Sequence, residues 1–281
     1  MSRDANVVTA LGRAIAGVGE AALSPLTGVW PAVGQGRVLS QTGHRPWRLP
    51  DGPWVMAQTW NDLLFAHWPV PTHALRPLVP DPLAVDTFDG TAWLGVTPFE
   101  VSGLRLRGTV PPPRLSRFPE LNVRTYATVD GKPGIWFFSL DASRAAAVAA
   151  ARATYRLPYR RARMSIVRHQ AGIRYRSVRT APDGPPAALD VDYSASGEVR
   201  PPAPGTLEHW LTERYCLYTV HRGRLLRAEI HHPPWPLQPA RAAIAVNTMA
   251  PRGVELPGAE PLLHFARRQD VVIWPLAPSS G

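Results

Sequence analysis

Residues 121–140 read LNVRTYATVDGKPGIWFFSL. Two β-branched and aromatic runs flank Asp130–Gly131, a two-residue signal for a tight hairpin turn, so the segment reads as an antiparallel strand pair. Its first arm reaches back to Glu120, and Glu120, Asn122, Arg124 and Tyr126 alternate along it. Alternate strand residues share a face, so these four side chains project together, opposite Leu121, Val123 and Thr125. A face of that composition either looks at water or lines a polar cavity. Glu120 paired with Arg124 there can position a substrate carboxylate or transfer a proton. An internal ion pair that only fixes the sheet is the alternative.

The same strand-like pattern extends outward in both directions. VMAQTWNDLLFAHWPV (55–70) reads as one long strand, with Trp60 and Asp62 on one face and His67 on the other if the strand is regular. PTHALRPLVP (71–80) is a short helical turn. LAVDTFDGTAWLGVTPFEV (83–101) reads as a hairpin turning at Asp89–Gly90. Downstream, DASRAAAVAAARATYRL (141–157) is the clearest helix, with Asp141 or Ser143 as its cap and alanine filling its interior. MSIVRHQAGIRYRSVR (164–179) is another strand pair, and GTLEHWLTERY (205–215) a short helix capped by Thr206. CLYTVHRGRLLRAEIHH (216–232) turns at Arg222–Gly223, PARAAIAVNTM (239–249) reads as helical, and DVVIWPL (270–276) is a last strand. Many hairpins with a few inserted helices define an α+β, mainly antiparallel domain over residues 51–281. Residues 1–50, rich in Gly, Ala and Pro, form an N-terminal appendage, helical or loose.

Composition excludes several classes. The chain has 281 residues, 45% hydrophobic and 19% charged, and can bury a core without disulfides. Cys216, the single cysteine, sits in an apolar run and reads as a buried small hydrophobe. The formal charge is +10, but the arginines are dispersed and no zinc-finger or RNA-binding motif accompanies them, so no nucleic-acid partner is expected. No apolar run reaches membrane-spanning length, and the first residues lack a continuous hydrophobic centre, which makes the cytoplasm the expected location and a membrane role unexpected. GxGxxG and Walker glycine loops are absent, and no cofactor is expected. His231 and His232 are adjacent and diverge on a strand. His209 and Glu213 are spaced i, i+4 without a convincing third ligand, so no metal is expected either.

The blocks QTWNDLLFAHWPV, LRPLVPDPLAVDTFDGTAWLGVTPF, FPELNVRTY, GKPGIWFFSLDA, LEHWLTERYCLY and HHPPWPLQ, in this order across about residues 54–250, resemble the signature blocks of the YqjF-like family. That family is similar in turn to the acetoacetate-decarboxylase superfamily, through ALRPLVPDPLAVD and a helix followed by a proline-led segment, here LPYRRARM. The resemblance implies a large, curved antiparallel sheet folded into a cone or barrel around a central pocket, and a homo-oligomer. In the decarboxylase two lysines follow the proline, and the first forms a Schiff base. Here Tyr159 and Arg160 follow Pro158, and the chain's single lysine, Lys132, falls in a predicted hairpin turn where it should be exposed. Neither tyrosine nor arginine can form the imine.

The expectation is therefore a pocket protein, an enzyme that works without lysine on a small organic acid or carbonyl compound by dehydration, hydration or isomerisation. Tyr155, Tyr159 and Arg160 lie on the segment that carries the decarboxylase lysines. Glu120 and Tyr159 are the candidate catalytic residues, and Arg124, Tyr126, Tyr155, Arg160 and Asn122 the candidate substrate-binding residues. A non-catalytic binding or sensor protein with the same pocket is the alternative, and a filled cone acting as an interaction module is a third.

Overall fold

The computed structural model describes residue 35 and residues 37–113, 115–180 and 184–279. Its strands are β1 (Met56–Val70), β2 (Ala84–Val85), β3 (Ala92–Leu106), β4 (Phe118–Val129), β5 (Lys132–Ala142), β6 (Tyr159–His169) and β7 (Gly172–Arg179). They continue with β8 (Ala188–Ala195), β9 (Cys216–His221), β10 (Arg224–His231), β11 (Gln238–Asn247), β12 (Leu262–Ile273) and β13 (Ala277–Pro278). The helices are α1 (Thr72–Leu75), α2 (Ala145–Thr154) and α3 (Leu207–Thr212). Among the described residues no helix is long and apolar enough to cross a membrane.

The strands join in one curved, mainly antiparallel sheet, with parallel contacts, among the described residues, only of β5 with β6 and β9. Pairings run β5–β9–β10–β12–β1–β3–β4 and back to β5, closing a ring of seven strands. A second path, β6–β7–β8–β11, bridges β5 and β12 outside it. One core fills the ring, with Phe65, Phe99, Phe137 and Trp235 at its heart. A second lies between the ring and the second path, where Leu64, Trp68, Leu121 and Val123 meet Tyr175, Val191 and Tyr193, and two smaller clusters flank them. Strand β4 is thus buried on both faces, which resolves the choice between water and cavity for its polar side.

The turn chemistry follows the sequence closely. Asp130 and Gly131 take φ of 52° and 69° between the paired Val129 and Lys132, and Arg222–Gly223 repeats the pattern between His221 and Arg224. Both residues of such a turn need positive φ, which Gly and Asp accept cheaply. Asp89–Gly90 also turns, joining Phe88 to Thr91, but the strand before it departs from the expected hairpin, because β2 pairs with β4. Thr206 caps α3 as its sequence predicts, accepting from the His209 amide at 3.3 Å.

Three further expectations are corrected. PARAAIAVNTM is strand β11 and not helix. Its alanines favour a helix locally, yet pairing with β8 and β12 satisfies its backbone and overrides that preference. Helix α2 is entered at Arg144 without a side-chain cap, because Asp141 is held in β5 by Arg179 at 2.9 Å. Lys132 is half-buried, its Nζ 5.5 Å from the centre of the Trp47 ring.

The decisive irregularity is in β1. Asp62 has φ of 51°, and β1 gains one residue on β3 between Asn61 and Ala66. Alternation therefore changes phase: Met56, Gln58 and Trp60 face the ring interior before it, and Leu63 and Phe65 after it. His67 consequently shares a face with Trp60, contrary to the regular-strand expectation. Arg168 Nε and Arg267 Nη1 donate to the Asp62 carboxylate at 2.7 and 3.1 Å, and Tyr193 Oη donates to its carbonyl at 2.7 Å. A left-handed conformation costs a residue with a β-carbon about 1–2 kcal/mol, less for Asn and Asp. Asp62→Ala should therefore cost about 2 kcal/mol of stability in urea unfolding, with the lost ion pairs included. Asp62→Asn, which keeps the tolerated conformation and loses only the charge, should cost less; equal losses would show that the conformation carries none of it.

Candidate functional site

A cavity of about 130 Å³ lies inside the seven-stranded ring. Strands β1, β3, β4, β5, β9, β10 and β12 all contribute wall residues. Helix α2 closes one side with Ala147, Ala150, Ala151 and Thr154, a stripe at helical spacing, and Pro112 and Leu115 approach from the proline-rich turn. Most of the wall is apolar. On β4, Glu120, Asn122 and Arg124 point inward, joined by Tyr155 and by Tyr159 at the start of β6; Gln58, Thr97, Thr154 and Arg144 are the other polar wall residues.

Glu120 is buried and accepts a hydrogen bond from Tyr159 Oη at 3.1 Å. Burial pushes its pKa up from 4.5 to about 7, against the opposing hydrogen bonds of Tyr159 and Asn122. The carboxyl therefore changes charge near neutrality. Burial and the neighbouring carboxylate drive the Tyr159 pKa well above its ordinary value, so its phenol is a neutral donor and not a base. Tyr155, also buried, is raised by desolvation.

Arg124 is 6% exposed, with its guanidinium carbon 5.3 Å from the Phe65 ring centre and 5.8 Å from that of Tyr126. Its Nε and the Asn122 Oδ1 are buried without a hydrogen-bond partner. Glu120 and Arg124 are not paired: four residues of strand separate their α-carbons by about 13 Å, and Glu120 turns to Tyr159 instead. Behind Arg124, Tyr126 Oη and His67 Nε2 share a hydrogen bond of 2.7 Å. Burial holds the His67 pKa well below its ordinary value, with Arg124 and His264 adding to the effect, so the imidazole is neutral. Gly95 makes this layer fit, since a β-carbon there would lie 3.0 Å from His67 Cδ2 and 3.4 Å from Arg124 Cγ.

Of the residues singled out from the sequence, Glu120, Asn122, Arg124, Tyr155 and Tyr159 are brought together in the cavity wall. Tyr126 is one layer behind it, between Arg124 and Arg214. Arg160 is not brought to the cavity. It follows Tyr159 on β6 and points the other way, toward Gly184, where an added β-carbon would lie 3.4 Å from Arg160 Nε. Glu213 accepts from the Trp235 amide at 2.9 Å and from Tyr215 Oη. Among the described residues no group of three metal-ligating side chains forms. Cys216 is buried in β9, and burial lifts its thiol to about 12. Residues 44–47 lie against β10 and the residues after it, where Arg45 and Trp47 share the Glu229 carboxylate and His44 bonds the His232 carbonyl.

Sequence reasoning missed Gln58, Trp60 and Thr97 as wall residues, because which face of β1 and β3 looks inward is set by how distant strands close the ring. It also missed the alanine stripe of α2, for which a signal existed: small residues at 147, 150, 151 and 154 mark one helical face.

A curved antiparallel sheet closed around a pocket of this kind is the acetoacetate-decarboxylase-like fold. An acetoacetate decarboxylase from Legionella pneumophila subsp. pneumophila str. Philadelphia 1 superposes with a TM-score of 0.54 at 12% identity, covering 92% of this chain and 98% of that one. The enduracididine biosynthesis enzyme MppR complexed with pyruvate gives 0.55 at 12% identity, covering 85% and 94%. At such identity these likenesses concern the fold. Residues 57–270 match the DUF2071 model, described as an uncharacterized conserved protein, and the chain belongs to that family. It is 48% identical over 229 residues to a Bacillus subtilis (strain 168) relative named "Uncharacterized protein YqjF", covering 81% of this chain and 94% of the relative.

The Glu120 geometry sets a pH dependence. Folding raises its pKa from 4.5 to about 7, so the native state holds the proton more tightly than the unfolded chain. The associated stability is complete below about pH 4.5 and is lost as the pH rises through about 7. At 1.36 kcal/mol per unit the loss is roughly 3 kcal/mol. Glu120→Gln, which mimics the protonated carboxyl, should remove this slope from urea unfolding measured between pH 5 and pH 8. A variant with the wild-type slope would assign the dependence to other groups.

Proposed function

We propose that this protein is an enzyme that moves protons on a small organic acid or carbonyl compound without a Schiff base. The observation that carries the reading is the Arg124 guanidinium, buried in an apolar cavity with no carboxylate at ion-pair distance among the described residues. Leaving a buried charge uncompensated is costly, and a substrate carboxylate would offset that cost with charge-assisted hydrogen bonds. Asn122 Oδ1, also lacking a partner, is available to a substrate hydroxyl.

Glu120 supplies the proton chemistry in this reading. Ionised, it takes a proton from the carbon next to the carbonyl, and the electron pair of that C–H bond moves into an enolate. Protonated, it either returns the proton at a different carbon, an isomerisation, or gives it to a departing hydroxyl, releasing water in a dehydration. Tyr159 holds the carboxyl in position and stabilises its charged form. A pKa near 7 suits both directions of transfer. The fold supports the reading only as analogy, since the neighbours whose names mention a small organic acid are remote in sequence.

The test is a thermal-shift screen with 2-oxo, 3-oxo, hydroxy and unsaturated acids, followed by proton-exchange NMR in deuterated water. A ligand at a hundredfold excess over Kd should add about 2.7 kcal/mol to apparent stability. Arg124→Gln should abolish that gain. Deuterium incorporation should rise with pH through about 7, as Glu120 ionises, and vanish in Glu120→Gln. Binding without exchange would make the protein a binder or sensor. Absence of binding by any acid would remove the pocket reading.

A further inference from the structure

The geometry points to a ligand with two unlike ends: a single carboxylate head for Arg124 and an apolar tail longer than that of propionate. This rests on the reading of Arg124 as a carboxylate anchor and names the substrate class of that same site.

The cavity wall is divided. Glu120, Asn122, Arg124 and Tyr159 form one polar group on β4 and at the start of β6, and Gln58, Thr97, Thr154 and the exposed Arg144 are further polar residues of the lining. Away from them the wall is built from side chains such as Phe99, Ile135, Phe137, Leu217, Ile230 and Ile273. Water in that part would lack the two to four polar partners that an ordered buried water needs. A dry cavity of about 150 Å³ lined by Leu, Ile and Phe is known to take up benzene, and the cavity here measures about 130 Å³. A two- or three-carbon acid would leave the apolar part empty.

Helix α2 keeps that space open. Ala147, Ala150 and Ala151 present only methyl groups to the cavity, where the ring side presents aromatic and branched side chains. Trp60, Phe99, Phe65 and Trp235 form a linked aromatic cluster, with centroid separations of 5.7, 5.9 and 4.8 Å along it, and Trp60 and Phe99 line the space directly. Arg144, exposed at the start of α2, is a second cation in the lining, but among the apolar side chains named above a second carboxylate on the tail would have no partner, so the class is monocarboxylates.

Isothermal titration of the full-length protein with propionate, hexanoate, octanoate, phenylacetate and 3-phenylpropanoate tests this directly, with adipate and hexanol as controls. Affinity should rise about fourfold per buried methylene until the cavity is full. Adipate and hexanol should both bind more weakly than hexanoate. Ala150→Leu, checked for an unchanged circular dichroism spectrum, should reduce the advantage of the longer acids. If propionate binds as tightly as hexanoate, or if Ala150→Leu leaves the long-acid affinity unaltered, the tail assignment is overturned while the Arg124 anchor stands. Hexanol binding as well as hexanoate would overturn the carboxylate head. If none of the acids, short or long, binds, both the anchor and the tail fall together.

Discussion

The phase of β1 depends on one residue. A regular strand through Asp62 would send Phe65 and His67 to the opposite side of the sheet from Trp60, and the ring interior would lose the Phe65 ring that packs on Trp235. The positive φ at Asp62 avoids this. It is held by Arg168 and the Tyr193 hydroxyl from the second path and by Arg267 of the neighbouring β12, so both paths pin this conformation. Arg168 also reaches Glu100 at 2.9 Å, and Arg117 joins the same carboxylate at 2.7 Å. These arginines are partly exposed, and such pairs contribute little energy individually. Their effect is geometric: one extra residue stays in β1, and every side chain downstream changes face.

A comparable shift in β5, opposite Val123 and Arg124, sends Ile135, Phe137 and Leu140 into the cavity. The two irregularities sit on either side of the β3–β4 pair and bend the sheet where the ring must close. Bulges of this kind re-aim side chains next to functional sites. Here they deliver a wall that is aromatic and aliphatic nearly throughout, against which the β4 polar residues stand out.

Those polar residues are expensive. Glu120 gives up solvation, and its raised pKa measures part of that loss. Arg124 lies between two aromatic rings that supply some cation–π attraction but no counter-charge. Folding stability alone would favour apolar side chains at both positions. Local violations of the rules that stabilise the rest of a protein are expected where function is carried.

Much of this was legible in the amino-acid order. The alternation of Glu120, Asn122 and Arg124, the Asp130–Gly131 and Arg222–Gly223 turns, and the Thr206 cap are short-range patterns whose physics is complete within a few residues. So is the inability of Tyr159 or Arg160 to act as an imine nucleophile, which is a matter of side-chain chemistry. Tertiary structure decided what depends on distant partners. The helical leaning of residues 239–249 yielded to β8 and β12, Asp141 left its capping role for Arg179, and Arg160 was turned from the cavity by the parity of β6. Above all, the meeting of Glu120 with Tyr159 and the isolation of Arg124 follow from strands distant in the chain closing one ring. Local propensity carries no information about which long-range pairings will form, because their free energy comes from surfaces that are buried only once the ring is closed.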